Sequence, residues 1–104
     1  MNFRLCCAVM LLFLLMAAAC LAADADAGKK LVESRCSFCH GINGISMSPL
    51  IPNHRGQKPL YFVKQLKAFK DGSRQDPMMS IQAATLSEED MENVAAYYSG
   101  LSCK

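Results

Sequence analysis

Residues 5–23, LCCAVMLLFLLMAAACLAA, hold no charged side chain, so the folded part must be built from the residues after them. Arg4 and the amino terminus form a short positive region, Leu5–Leu15 an apolar stretch, and Ala17–Ala23 a run of small residues suited to cleavage. Residues 1–22 therefore read as an export signal, with cleavage at 22 to 25. An uncleaved membrane anchor is the weaker reading. The second half of the run is mostly Ala, and no positive charge comes until Lys29. Ala18-Ala19-Cys20 leaves a lipidated N-terminus as a further alternative.

Removing 22 of 104 residues leaves a domain of 82, residues 23–104. At that size a hydrophobic core rarely supplies more than about 3–5 kcal/mol, and small exported domains need an additional staple. Disulfides do not provide it. The domain keeps only Cys36, Cys39 and Cys103, an odd number, with two of them three positions apart. A net charge of +2 also excludes a strongly basic nucleic-acid binder.

The domain reads as all-α. Residues 25–35 form a short helix capped by Asp24 or Asp26, with Ala27, Leu31 and Ser34 on one face and Gly28 and Val32 beside them. Residues 60–70 repeat Phe62, Leu66 and Phe69 at helical spacing, Val63 widens the stripe, and Gly72 stands at the expected stop. A helical turn comes next, near 80–84. The last helix is the best marked, with Ser87 as N-cap, three acids in its first turn, Gly100 as its end, and Met91, Val94, Ala95 and Tyr98 as its buried face. Residues 41–59 have no periodicity. A loop of that length in a small domain is reasonable when it packs on something other than protein.

The chemistry lies in Cys36-Ser37-Phe38-Cys39-His40. Two thiols three apart, with His directly after the second, suit covalent haem attachment, each Cys adding to one vinyl group and the imidazole coming to lie under the iron. A thiol–disulfide pair would need a βαβ setting that a helical chain lacks. A zinc site would need a fourth ligand from Cys103 or His54. The export signal, the missing staple and the long loop all favour haem.

The chain resembles the class I c-type cytochromes, and within them the short bacterial type similar to one half of a dihaem cytochrome c4. The resemblance runs from about Asp26 to Leu101. It rests on CSFCHG at 36–41, NG at 43–44, Pro52 with RGQ after it at 55–57, YFVKQLKAFKDGSR at 61–74, DPMM at 76–79 and LSEEDMENVAAYYSGL at 86–101. It implies three to four helices around one covalent haem c, with Gly28 allowing the first and last helices to cross near Tyr97 or Tyr98. Cys36 and Cys39 would carry the thioethers and His40 would be the proximal ligand. The Pro52 carbonyl would accept the imidazole N–H. The sixth ligand would be a Met thioether, and seven residues before Leu86 lies Met79. Met78 is the rival; Met91 fits the buried helix face, and Met47 lies in the wrong loop. His54 departs from the family pattern, which has a small apolar residue there, and is expected as an exposed loop histidine near the haem rim.

The resemblance also implies the function: a periplasmic one-electron carrier, not an enzyme, shuttling between a quinol-oxidising complex and a terminal oxidase or reductase. Membrane contact would come only through partners or a retained N-terminus. Two alternatives stay open, a haem-c accessory subunit of an oxidase or dehydrogenase complex and a small-ligand haem sensor. Lys58, Lys64, Lys67 and Lys70 read either as a docking surface for an acidic partner or as a solvated helix face.

Overall fold

The computed structural model describes residues 22–102. The expected export signal, apart from Ala22, and Cys103 lie outside the described residues. Five helices run in order: α1 (Ala25–Arg35), α2 (Ser37–His40), α3 (Pro59–Asp71), α4 (Met79–Ala84) and α5 (Glu88–Ser99), with no strand among the described residues. None of these helices is long and apolar enough to cross a membrane.

Asp24 starts α1. Its carboxylate accepts from Asp26 N and Ala27 N at 3.0 and 3.1 Å, satisfying two donors that the first turn leaves open. The buried side differs from the expected face: Gly28 and Val32 are buried, whereas Leu31 is half-buried and Ser34 exposed. The cause is the crossing with α5. A Cβ placed on Gly28 would lie 1.9 Å from the Asn93 carbonyl oxygen, so the two backbones touch here. The crossing is therefore at Asn93–Val94, about one turn before the expected Tyr97–Tyr98. Asn93, buried on the same helix, reaches back with its side-chain oxygen to accept from Asp24 N at 2.8 Å.

Helix α5 obeys its sequence signals. Asp90 N donates to the Ser87 hydroxyl and Ser87 N to the Asp90 carboxylate, both at 3.0 Å, forming a closed capping box. Met91, Val94, Ala95 and Tyr98 are each at most 1% exposed. Ser87→Ala is expected to cost about 1 kcal/mol, read as a lower denaturant midpoint with an unchanged slope.

Helix α3 opens on Pro59, whose missing N–H costs nothing at the first position, and ends on Gly72 with φ +83°. Phe62, Leu66 and Phe69 are buried toward α5 and α4. The lysine cluster is partly committed inside the fold. Lys67 pairs with Glu88 at the start of α5, and Lys70 donates to the Leu86 carbonyl. Lys58 and Lys64 remain exposed.

The segment between α2 and α3 is held by turn chemistry and by α5. Gly44 O accepts from both His54 N and Arg55 N, at 2.8 and 3.0 Å, and Asn53 Oδ1 accepts from Ser46 N at 2.7 Å. Tyr98 OH donates to Gly41 O at 3.0 Å, Tyr97 OH to Ile42 O at 2.8 Å, and Gly56 N to Tyr98 O at 2.9 Å. Tyr98→Phe should cost about 1 kcal/mol, the low end for a buried bond, because Gly41 O keeps Gly44 N as a second donor at 3.1 Å. Thermal unfolding of the holoprotein checks this.

Candidate functional site

A cleft of about 240 Å³ opens where the α1–α2 junction, the loop, α3 and α4 meet. Cys36, Cys39, His40, Pro52 and Met79 all line it, with Phe62, Leu66 and Val94 supplying apolar wall.

His40 ends α2 and is 6% exposed. Its Nδ1 lies 2.9 Å from the Pro52 carbonyl oxygen, twelve residues away in sequence. A carbonyl only accepts, so in this bond Nδ1 carries the proton and Nε2 keeps its lone pair free for a metal. The contact also fixes the ring. Cys36 and Cys39 stand as separate half-buried thiols one helical turn apart. Burial pushes the Cys36 thiol above its ordinary range, against the partial opposing pull of the Arg35 charge. Among the described residues no strand supplies the βαβ frame that a thiol–disulfide pair would need. Nor do three or more His, Cys, Asp or Glu converge on a metal position among the described residues.

The methionines fall in different environments. Met79 is half-buried in the cleft wall and packs against the core. Met78 also reaches the cleft but is 59% exposed, Met47 is fully exposed, and Met91 is a 1% exposed core residue. The Asp76 carboxylate accepts from Met79 N at 2.8 Å and Met78 N at 2.9 Å, and the Ser80 hydroxyl accepts from Asp76 N at 3.1 Å. These bonds set the turn that presents Met79, and they hold the Asp76 carboxyl below its usual range.

His54 is not the exposed rim histidine expected from the sequence. Its ring stacks on His40, centroids 3.9 Å apart and 28° between planes, and meets the Phe62 ring edge-on at 4.9 Å. The cause is the loop's own pairing, since the bond from His54 N to Gly44 O turns the residue inward. Burial, then the neighbouring His40, lower its pKa from 6.5 to about 4, so the ring is neutral near pH 7. A ring stacked face to face on the His40 imidazole lies beside it, so the two rings would not grip one ion from opposite sides.

Asp76 was legible in the sequence as the start of a turn through Met79, and the bonds it accepts bear that out; sequence reasoning missed Arg35. The guanidinium of Arg35, one residue before Cys36, donates to Gln82 O at 3.0 Å and Thr85 Oγ1 at 2.6 Å. An Asp two residues before a Met pair was a readable turn signal. Nothing local marked Arg35.

The donor set suits haem: two thiols one turn apart, an imidazole with its distal nitrogen free, and a thioether in the same apolar cleft. The family described as "Cytochrome C oxidase, cbb3-type, subunit III" matches residues 23–97. Cytochrome c-554(548) of Halomonas halodenitrificans is 40% identical over 81 residues, covering 75% of this chain and 96% of that protein. Cytochrome c4 of Stutzerimonas stutzeri is 38% identical over 87 residues, covering 75% of this chain and 41% of its own length. The crystal structure of reduced recombinant cytochrome c4 from Pseudomonas stutzeri superposes with a TM-score of 0.71 at 37% identity, covering 78% of this chain and 47% of that one. The chain thus spans nearly all of the c-554(548) protein and less than half of each of these two c4 chains. It belongs to the cytochrome c family, and Cys36 and Cys39 are its attachment points for covalent haem c.

Proposed function

We propose that the protein is a periplasmic one-electron carrier in which His40 and Met79 are the axial ligands of a single haem c. The observation that carries this reading is the gathering of Cys36, Cys39, His40 and Met79 around one cleft. Bound haem supplies the one-electron iron chemistry. The chain does the rest. Cys36 and Cys39 tether the group, Pro52 holds the Nδ1–H of His40 so that Nε2 points its lone pair away, and the apolar wall keeps water off. Met79 would offer the iron a thioether, a ligand that favours the reduced state. No acid–base pair or nucleophile is required, so the protein is no enzyme in its own right.

Residues 1–22 act as the export signal. Cleavage after Ala22 or Ala23 suits the fold better than cleavage after Ala25, because the latter removes Asp24, the N-cap of α1. The donor is a quinol-oxidising complex and the acceptor a terminal oxidase or reductase, the membrane being met through these partners. A second reading, a haem-c accessory subunit, draws on the matched family's description as an oxidase subunit. Co-purification with large subunits would favour it over a freely diffusing monomer. A small-ligand sensor needs an open sixth position, and Met79 in the cleft wall speaks against that.

Optical spectroscopy of the exported protein tests the proposal. Haem should remain with the polypeptide through acid–acetone extraction. The ferric form should carry the near-infrared sulfur-to-iron band, and the ferrous form should not bind carbon monoxide. Retained haem without the band, together with carbon monoxide binding, would move the protein to the sensor reading. Haem lost on extraction would overturn the carrier reading altogether.

A further inference from the structure

The segment bearing Met79 is held very unevenly. On one side α4 packs on α3, with Ala83 and Leu86 buried and Lys70 donating to the Leu86 carbonyl. On the other side stands the haem-attachment segment, α1 and α2. Among the described residues, the hydrogen bonds joining that segment to residues 76–86 all come from one side chain, Arg35. Its Nη2 has two N–H groups and two short acceptors, Thr85 Oγ1 at 2.6 Å and Gln82 O at 3.0 Å, with Gln82 Oε1 more distant at 3.5 Å.

The chemistry of the contact favours it from both ends. Gln82 O lies in the last turn of α4, where carbonyls lack partners within the helix, and Thr85 is that helix's C-cap. A cation suits the negative end of α4, and it equally suits the end of α1, where Arg35 itself sits. Arg35 also lines the cleft, as does Cys36 beside it in sequence.

We propose that Arg35 is a positioning residue, a tie that holds the Met79 segment closed against the attachment segment and so governs access to the sixth coordination position. This rests on the assignment of Met79 as the sixth ligand. A thioether is a weak ligand to ferric iron, so its hold depends on how firmly the chain behind it is anchored. Loosening the end of α4 would free Met79 to leave the cleft wall and would open its place to an external ligand. A charge-assisted hydrogen bond of this kind shifts such an opening equilibrium by about tenfold.

The test is imidazole binding to the ferric holoprotein, with near-infrared and far-ultraviolet circular dichroism spectra recorded alongside. Four variants are compared: Arg35→Ala, Arg35→Lys, Thr85→Val and Met79→Ala. Arg35→Ala should tighten imidazole binding about tenfold with helix content unchanged. Thr85→Val removes one acceptor and leaves every charge in place, and should move affinity the same way by roughly threefold. Arg35→Lys keeps the positive charge but loses the forked geometry, and should behave more like Ala than like Arg.

Unchanged affinity in both Arg35→Ala and Thr85→Val would overturn the tie. So would full recovery of wild-type affinity by Arg35→Lys, since the charge alone would then suffice. Should Arg35→Ala fail to load haem, Thr85→Val decides by itself. Met79→Ala separates the two readings: if it leaves the near-infrared band intact, the ligand assignment and the tie fall together. If it abolishes the band while the other variants bind imidazole like wild type, only the tie falls.

Discussion

Met79→Ala should abolish the near-infrared band of the ferric protein, while Met78→Ala should leave it in place. The two residues are adjacent and chemically identical, so only their placement separates them. Met79 is half-buried against the core, whereas Met78 is 59% exposed. The Asp76 carboxylate fixes both backbone N–H groups, which leaves the chain little freedom to exchange one side chain for the other. On the proposed ligation, loss of the thioether removes the ligand that favours ferrous iron, so the reduction potential should fall and the ferrous protein should gain carbon monoxide binding. Stability should drop by roughly 2 kcal/mol, the low end for truncating a core Met, because the side chain is only partly buried. Met78→Ala should cost under about 0.5 kcal/mol, as ordinary surface changes do. Redox titration and denaturant unfolding of the two variants check these values. A Met78→Ala protein that loses the band while Met79→Ala keeps it would reverse the assignment.

The sequence made the helices legible because their signals are local. Ser87, Asp90 and the Met91–Val94–Ala95–Tyr98 stripe are each a few residues apart, and cap and burial result from that spacing. The attachment motif was readable for the same reason, since five consecutive residues carry it. What escaped lay between distant segments. The buried face of α1 turned out to be Gly28–Val32 because α5 approaches there, and no periodicity within residues 25–35 encodes a neighbour 65 positions away. His54 was misplaced because residues 41–59 have no period, and its inward turn depends on the carbonyl of Gly44. Arg35 bridges 47 and 50 residues to Gln82 and Thr85, and a lone Arg at a helix end gives no hint of that reach.

Gly28→Ala should be strongly damaging although it adds a single methyl group. The added methyl would sit 1.9 Å from Asn93 O, 2.4 Å from Asn93 C and 3.0 Å from Val94 N. All three neighbours are backbone, so no rotamer relieves the clash. Helices α1 and α5 must separate by more than an ångström. That loosens buried Val32 and Val94, stretches the bond from Asp24 N to Asn93 Oδ1, and shifts the end of α1 that leads into Cys36. Overpacking of this kind costs about 3 kcal/mol or more, while Ala in place of a helical Gly returns only about 1 kcal/mol of propensity. The clash wins, by about 2 kcal/mol or more, which lowers the melting temperature of a domain this small by roughly 10 °C. Gly72→Ala provides the contrast. Nothing lies within 4 Å of its added Cβ, but its φ is +83°, so the cost is backbone strain of about 1 kcal/mol. Thermal unfolding of both holoproteins should therefore rank Gly28→Ala well below Gly72→Ala. Equal melting temperatures, or a Gly28→Ala protein as stable as wild type, would mean that α1 and α5 do not meet backbone to backbone. The packing that places the attachment motif over the cleft would then need another origin.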